Sequence, residues 1–329
     1  MDRIEDLYKK LAVLRELRLQ RQATMSAYTR FGLGGPAAIL AETANQEALA
    51  EVLRAVQGSG LPIFILGNGT NLVVSDEGFP GIVVRWTASS IRITDCRIVA
   101  ASGALWYHLV EQSIEQGLAG LQTLAGIPGT VGGAVYGNAG AYGHSISERV
   151  ERIAYLTENG PGQWDHSSCG FTYRRSRFQT QKACVILETH LNLEQGSRPA
   201  LRNEAGKILR LRREKFPEQM RCAGSVFKNL VAKDLPEETC RLIPPEAIRE
   251  GKIPAGWFLE RVGAKGLCFG GIRVTDYHAN LIFNQGDGTA EDFFSLAQEL
   301  KRRVEDRFGI RLEEEIRYVG NFNRLAKSQ

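Results

Sequence analysis

The sequence predicts an α+β protein of two or three domains, on three observations. Its 329 residues are about twice the roughly 150 typical of one domain. Short apolar runs of strand type alternate with single stretches whose apolar residues recur at helical spacing. Nine glycines crowd the tract between Gly117 and Gly143 and interrupt that alternation. A composition of 43% hydrophobic and 24% charged residues is that of an ordinary folded chain, which argues against disordered, collagenous or coiled-coil architectures.

Taken in order, Ile4, Leu7, Leu11, Leu14 and Leu17 recur at steps of three and four, so residues 1–22 are expected to form an amphipathic helix packed as an appendage. From Ala37, the strand-like runs AAILAE, PIFILG, NLVVS and GIVVRW flank one helical stretch, NQEALAEVLRAVQ, giving an expected unit over 23–88. Strands at Ile91 to Ile93, Arg97 to Ala101, Ile153 to Thr157 and Ala183 to Leu193 follow, with ALWYHLVEQSIEQG as a helix among them. A charged helix, LRNEAGKILRLRREKFP, closes this second unit over 89–216, with Pro217 as its stop. AGSVFKNL, WFLERVG, NLIFNQ, the helix AEDFFSLAQELKRRVEDRFG and a last strand EEIRYVG make a third α+β unit over 217–320, and 321–329 is a tail.

Several function classes are disfavoured. A net charge of +4 is too small for a nucleic-acid footprint and suits an anionic small ligand. The six cysteines form no C-x-x-C pair and the five histidines are scattered, so no metal site is expected. The charged start MDRIEDLYKK is unlike a signal peptide, and a reducing cytoplasm is expected. Gln116 to Ser147 lacks Asp, Glu, Lys and Arg, yet its glycines and Pro128 exclude a membrane helix.

Two segments carry the signs of cofactor chemistry. In LPIFILGNGTNLVVSDEGFPGIVVR, a strand runs into Gly67, Asn68, Gly69, Thr70 and Asn71 and out into another strand. Glycine and asparagine tolerate positive φ, so successive N–H groups there can converge on an anion. Alone, this turn reads more readily as a hairpin. The Rossmann fingerprint lacks its third glycine and its helix, and no Gly-Lys-Ser/Thr P-loop occurs. LAGIPGTVGGAVYGNAGAYG is more specific. Its glycines leave little for ordinary helix or strand packing, so something must approach the backbone closely, and a dinucleotide pyrophosphate needs such donors without bulk. The expected cofactor contacts are Gly126, Ile127, Pro128, Gly129, Thr130, Gly132, Gly133, Asn138, Gly140 and Ala141, together with the five residues of the first loop.

The order RFGLGGPA, GNGTNLVVSDEGFPGIVVR, LAGIPGTVGGAVYGNAGAYG, FTYRRS, AGSVFKN, AGWFLERVGAKG, HANLIFN and LEEEIRYVG resembles the UDP-N-acetylenolpyruvoylglucosamine reductases over roughly Thr29 to Gly320. The resemblance implies a two-part FAD-binding module of the p-cresol methylhydroxylase (vanillyl-alcohol oxidase) type, over 23–88 and 89–216, and a C-terminal α+β substrate-binding domain. It implies NADPH as hydride donor, UDP-N-acetylglucosamine enolpyruvate as substrate, UDP-N-acetylmuramate as product and a role in peptidoglycan precursor synthesis; a monomer is expected, without nucleic-acid or membrane partners. Departures are Lys228-Asn229-Leu230 where Lys-Asn-Pro is usual and G-N-G-T-N where G-G-G-S-N is common. A separation of 49 positions between Arg174 and Ala223 leaves little room for the substrate-covering insertion of one branch.

By the same resemblance, Ser225 is the general acid, a weak acid needing electrostatic help. Arg174 holds the enolate, with Arg175 its rival by adjacency. Glu315 is selected from three consecutive acids because it precedes a β-branched residue and an arginine, and a strand there sends Glu313 to the same face. Lys215, Lys228 and Asn229, with Arg212 more weakly, are expected at the UDP diphosphate and sugar carboxylate. His278 suits either a site donor or a structural role. The alternatives are an oxidase of the same superfamily, which lacks a His or Cys at a flavin-attachment motif, and a silent nucleotide-sugar binder, which needs no positioned acid.

Overall fold

The computed structural model describes residues 3–181 and 183–322. The chain falls into two units, one of Met1–Ala23, Ala37–Asn68 and Pro80–Glu218, the other of Thr24–Pro36, Gly69–Phe79 and Gln219–Gln329.

Two larger sheets build the first unit, beside the short pairs of Gly140–Ala141 with His144–Ser145 and Leu118–Ala119 with Glu194–Gln195. In one, the strands are ordered Arg18–Thr24, Pro36–Thr43, Phe79–Trp86 and Ile63–Ile65, and the last two run parallel with Ile63 opposite Ile82. The helix Gln46–Ser59 packs its Leu49, Val52, Leu53 and Val56 on Ile39, Ile82 and Val84. Asn45 Oδ1 starts that helix by accepting from Ala48 N–H at 2.9 Å, and Gly60 at φ 67° ends it.

The N-terminal helix differs from expectation. It spans only Arg3–Leu11, and Arg18–Thr24 is the edge strand of this sheet. Glu16 adopts φ 56°, a conformation no right-handed helix tolerates, so the periodicity of Leu14 and Leu17 continues in a turn. Nor is the helix an appendage, because Leu7 and Leu11 are 3% and 0% exposed within the core shared with Leu49 and Leu53.

The second sheet is antiparallel and ordered Gly160–Asp165, Val150–Thr157, Val185–Asn192, Arg97–Ala101 and Ile91–Thr94. Gly160, Pro161 and Gly162 hide its outer strand from any reading of β propensity. Trp106, at the start of the helix Trp106–Glu115, is wholly buried and donates its indole N–H to Leu124 O at 3.1 Å. The helix Arg198–Lys215 completes the unit, with Leu201, Ala205 and Ile208 against the same core. The glycine tract also departs from expectation. It contains a six-residue helix, Val131–Tyr136, started by Thr130 Oγ1, which accepts from Gly133 N–H at 3.2 Å.

In the second unit, Leu72–Val74 pairs in parallel with Arg317–Val319, and Cys268–Phe269, Ile272–Val274 and Ile282–Asn284 form a three-stranded sheet. The 19-residue helix Ala290–Phe308 is held at its start by a Thr289 and Asp292 capping box. Asp76 adds two bonds there, accepting from Ala290 N–H at 3.0 Å and Glu291 N–H at 3.1 Å, so the acid of the S-D-E-G motif is a helix anchor. Phe31, Phe227, Phe258 and Phe293 sit at 0–1% exposure in this core, each worth about 1.5–3 kcal/mol relative to exposure. Of the expected tail, 323–329 lies outside the described residues.

Candidate active site

The sequence-marked residues divide between the two units, and the first loop is itself divided, Gly67 and Asn68 belonging to one and Gly69, Thr70 and Asn71 to the other.

In the first unit, the glycine tract is laced to the segment between the strand Arg97–Ala101 and the helix Trp106–Glu115. Trp106 N–H donates to Gly129 O at 3.0 Å, Val131 N–H to Ala104 O at 2.9 Å and Gly132 N–H to Ser102 O at 2.9 Å. A side chain on Gly132 would meet Ser102 Cβ at 2.8 Å. Gly67 lies against the same turn, with Thr130 Oγ1 3.1 Å from where its Cβ would stand. Thus Gly67, Gly129, Thr130 and Gly132 come together as a surface of bare backbone, and Gly133 is exposed on it. Gly126 adopts φ 73° and its carbonyl accepts from Arg212 Nε at 2.9 Å, so Arg212 braces the cradle itself.

Nothing in the residue pattern marks Ser102. Its Oγ is buried at the edge of the cradle and has no hydrogen-bond partner among the described residues. A buried orphan hydroxyl beside bare backbone fits a polar group such as a dinucleotide phosphate or ribose. That orphan and the cradle together fit FAD.

Asn138, with φ 42°, has its side chain engaged within the protein, Nδ2 donating to Thr172 O at 2.9 Å and Oδ1 accepting from Ser147 N–H at 3.3 Å. It thereby fastens the tract to the turn that carries Arg174. Thr172 and Arg175 close that turn through reciprocal main-chain bonds of 3.1 Å. Arg174 sits inside it at φ 57°, a strained conformation for a residue with a side chain, costing on the order of 1–2 kcal/mol. Its guanidinium lies over the Tyr173 ring, 5.4 Å from the centroid, while Arg175 is exposed. Any side chain at Gly140 would come within 3.2 Å of Arg174 Nη1. Gly140 makes room first for the His144 carbonyl, 2.6 Å from where its Cβ would stand, and then for the arginine.

Lys215, in the last turn of its helix, is half-buried, with Nζ 5.3 Å from the Phe216 ring centre. Burial, and then the charge of Arg212, hold its pKa below the usual lysine value.

In the second unit, Gly69 adopts φ 61°, and a Cβ there would overlap Tyr28 O at 1.8 Å. Its carbonyl accepts from Arg30 N–H at 2.9 Å, which ties the loop to the R-F-G-L-G-G segment. Asn71 Nδ2 donates to Glu315 O at 3.0 Å.

Ser225 follows Gly224, at φ 84°, and pairs with Leu281 as an isolated antiparallel bridge. It is half-buried and sits in a short extended segment. Glu315 N–H donates to Val226 O at 2.7 Å and Lys228 N–H to Glu313 O at 2.9 Å, so this segment lies alongside the three acids. Their carboxylates then part company. Glu313, exposed, pairs with Lys228 Nζ and Glu314 with Lys301 at 3.0 Å, and Glu314 and Glu315 are both half-buried. Asn229 Oδ1 accepts from Ala255 N–H at 3.3 Å, at the start of the helix Ala255–Arg261.

Asn280 is a residue the H-A-N motif contained but His278 overshadowed. Its Oδ1 accepts from Phe227 N–H at 2.9 Å and its Nδ2 donates to Phe227 O at 2.8 Å, while Val226 N–H donates to Asn280 O at 3.1 Å. His278 Nδ1 accepts from Asn280 N–H at 3.2 Å, a structural duty. Among the described residues, no group of His, Cys, Asp and Glu could hold a metal ion, and no helix is long and apolar enough to cross a membrane.

Comparison with known proteins gives the same outline. Residues 37–162 match a family described as FAD binding domain, and 216–319 match the C-terminal domain family of UDP-N-acetylenolpyruvoylglucosamine reductase. The UDP-N-acetylenolpyruvoylglucosamine reductase of Solibacter usitatus is 48% identical over 94% of this chain and 100% of its own length. That of Heliobacterium modesticaldum is 34% identical over 92% of this chain and 90% of its own. The crystal structure of the Thermus caldophilus reductase covers 92% of this chain and 100% of its own with a TM-score of 0.73 at 28% identity.

Proposed function

Because the chain belongs to the UDP-N-acetylenolpyruvoylglucosamine reductase family, we propose the residues through which it works. It is an FAD-dependent oxidoreductase that uses NADPH to reduce the enolpyruvyl group of its UDP-sugar in peptidoglycan precursor synthesis. Bound FAD supplies the hydride carrier. Within the first unit Ser102 joins the contacts expected there, Gly67, Asn68, Gly126, Ile127, Pro128, Gly129, Thr130, Gly132, Gly133, Asn138, Gly140 and Ala141, and the resemblance assigns Gly69, Thr70 and Asn71 to FAD as well.

Reduction of an enolpyruvyl ether needs a proton at the α carbon and stabilisation of the charge that builds on the adjoining carboxylate. Ser225 donates the proton. Arg174, with its planar fork, holds the developing enolate, and Glu315 polarises it. Lys215, Lys228 and Asn229 hold the diphosphate and sugar, and Arg212 serves mainly to brace Gly126. The observation that carries this reading is the 2.7 Å bond from Glu315 N–H to Val226 O, which makes the acid and Ser225 close neighbours across two extended segments.

The resemblance-based division into 23–88, 89–216 and 217–320 is retained for function, the first two for FAD and the third for the UDP-sugar. Free thiols at all six cysteines support a cytoplasmic setting, and the enzyme acts there as a monomer. Stopped-flow traces of Ser225→Ala test the assignment. Flavin reduction by NADPH should stay near the wild-type rate while reoxidation by the enolpyruvyl sugar slows by about a hundredfold or more. Equal slowing of both half-reactions would make Ser225 a structural residue.

A further inference from the structure

Leu72 is in register with Arg317 across the parallel pair, so one step earlier Asn71 faces Ile316. In a parallel ladder, a residue at that place accepts from the N–H one position beyond its partner and donates its own N–H to the carbonyl one position before. Asn71 makes the first bond with its main chain, accepting from Arg317 N–H at 3.1 Å. The second, to Glu315 O at 3.0 Å, comes from its side-chain amide. A side chain thus stands in for a ladder bond beside the acid.

The substitution has a local consequence. Glu315 N–H is held by Val226 O at 2.7 Å, and its C=O by Asn71 Nδ2. The two peptide planes that flank the Glu315 Cα are therefore both fixed, and with them the direction of its Cα–Cβ bond. We infer that Asn71, a residue of the first cofactor loop, is a positioning residue for Glu315, so that order in that loop and aim of the acid are coupled. This rests on Glu315 acting on the substrate, as proposed above.

Two variants of the full-length protein separate this from a simple flavin contact. Asn71→Ala removes the amide, and Asn71→Asp keeps its shape but, once ionised, cannot donate and faces a carbonyl. Hydrogen exchange read by mass spectrometry should be about tenfold faster for peptides spanning 314–317 in both variants, as expected for one lost hydrogen bond. At full flavin loading, reoxidation by the enolpyruvyl sugar should slow about tenfold relative to reduction by NADPH. Adding either change to Glu315→Gln should cost nothing more, since both act through one group. Unaltered exchange with only weaker flavin retention would overturn the inference, as would an Asp variant that behaves as wild type. A silent Glu315→Gln would remove the reading beneath it, a failure recognisable because exchange in the Asn71 variants would still be fast.

Discussion

Lys228 and Glu313 are joined twice, main-chain N–H to carbonyl at 2.9 Å and ammonium to carboxylate. Glu313 thus neutralises a lysine at the proposed sugar site, while the main chain of Glu315 bonds Val226, the residue next to Ser225.

Glu315→Gln keeps shape and hydrogen-bonding capacity but removes the acid. Sugar-driven reoxidation of the flavin should fall by about a hundredfold to ten-thousandfold while FAD and sugar remain bound. Glu313→Gln should instead shift KM a fewfold, because an exposed ion pair is worth about 0.2–1 kcal/mol, and leave turnover at saturation little changed. A damaging Glu313→Gln with a silent Glu315→Gln would move the acid by two positions.

Gly69→Val tests the first loop by steric collision. The branched side chain would meet Tyr28 O at 1.8 Å in a backbone region that costs side-chain residues about 1–2 kcal/mol. Purified variant should melt several degrees lower and carry little flavin absorbance near 450 nm. Gly129→Val, at φ 121°, should lose flavin likewise. Full flavin occupancy in a folded variant of either would remove that glycine from the cofactor site.

How legible this molecule is in its sequence varies with the range of the contacts involved. Strands such as Pro36–Thr43 and Phe79–Trp86 declare themselves through short apolar runs, Ala37 to Ala41 in the first and Ile82 to Val84 in the second. The helix Arg3–Leu11 is shorter than its periodicity predicts because Leu14 and Leu17 keep helical spacing while packing from a turn. Motif order reaches Ser225, Arg174 and Glu315, but composition is blind to Ser102 and Asn280. Serine and asparagine are ordinary residues until a buried carbonyl, or the lack of one, gives them a task.

Lys215 offers a test through pH. Its pKa is lowered in the folded protein by burial and by Arg212, so between that lowered value and its unfolded value the unfolded chain binds the extra proton. Stability must then rise with pH across that window, and the cost of the buried charge is greatest below it. Lys215→Met should accordingly raise Tm at neutral pH, with the advantage shrinking as pH approaches 10.5. The same variant should raise KM for the UDP-sugar about tenfold through the lost charge-assisted contact, with less effect on turnover at saturation. An unchanged KM would return Lys215 to a purely structural place.

Asn280 tests whether the Ser225 segment is held by one side chain. Its amide is 3% exposed and closes both hydrogen-bonding groups of Phe227, at 2.9 and 2.8 Å. Asn280→Ala leaves a buried N–H and a buried C=O without partners, which costs about 1–3 kcal/mol for each. Asn280→Asp retains the acceptor for Phe227 N–H but turns a second oxygen toward Phe227 O, so it should recover little. Both variants should unfold at lower denaturant with an unchanged m-value, and sugar-driven reoxidation should slow more than reduction by NADPH because only the former needs Ser225 in place. Loss of stability with both half-reactions intact would mean that Val226 O and its bond to Glu315 suffice to align the segment.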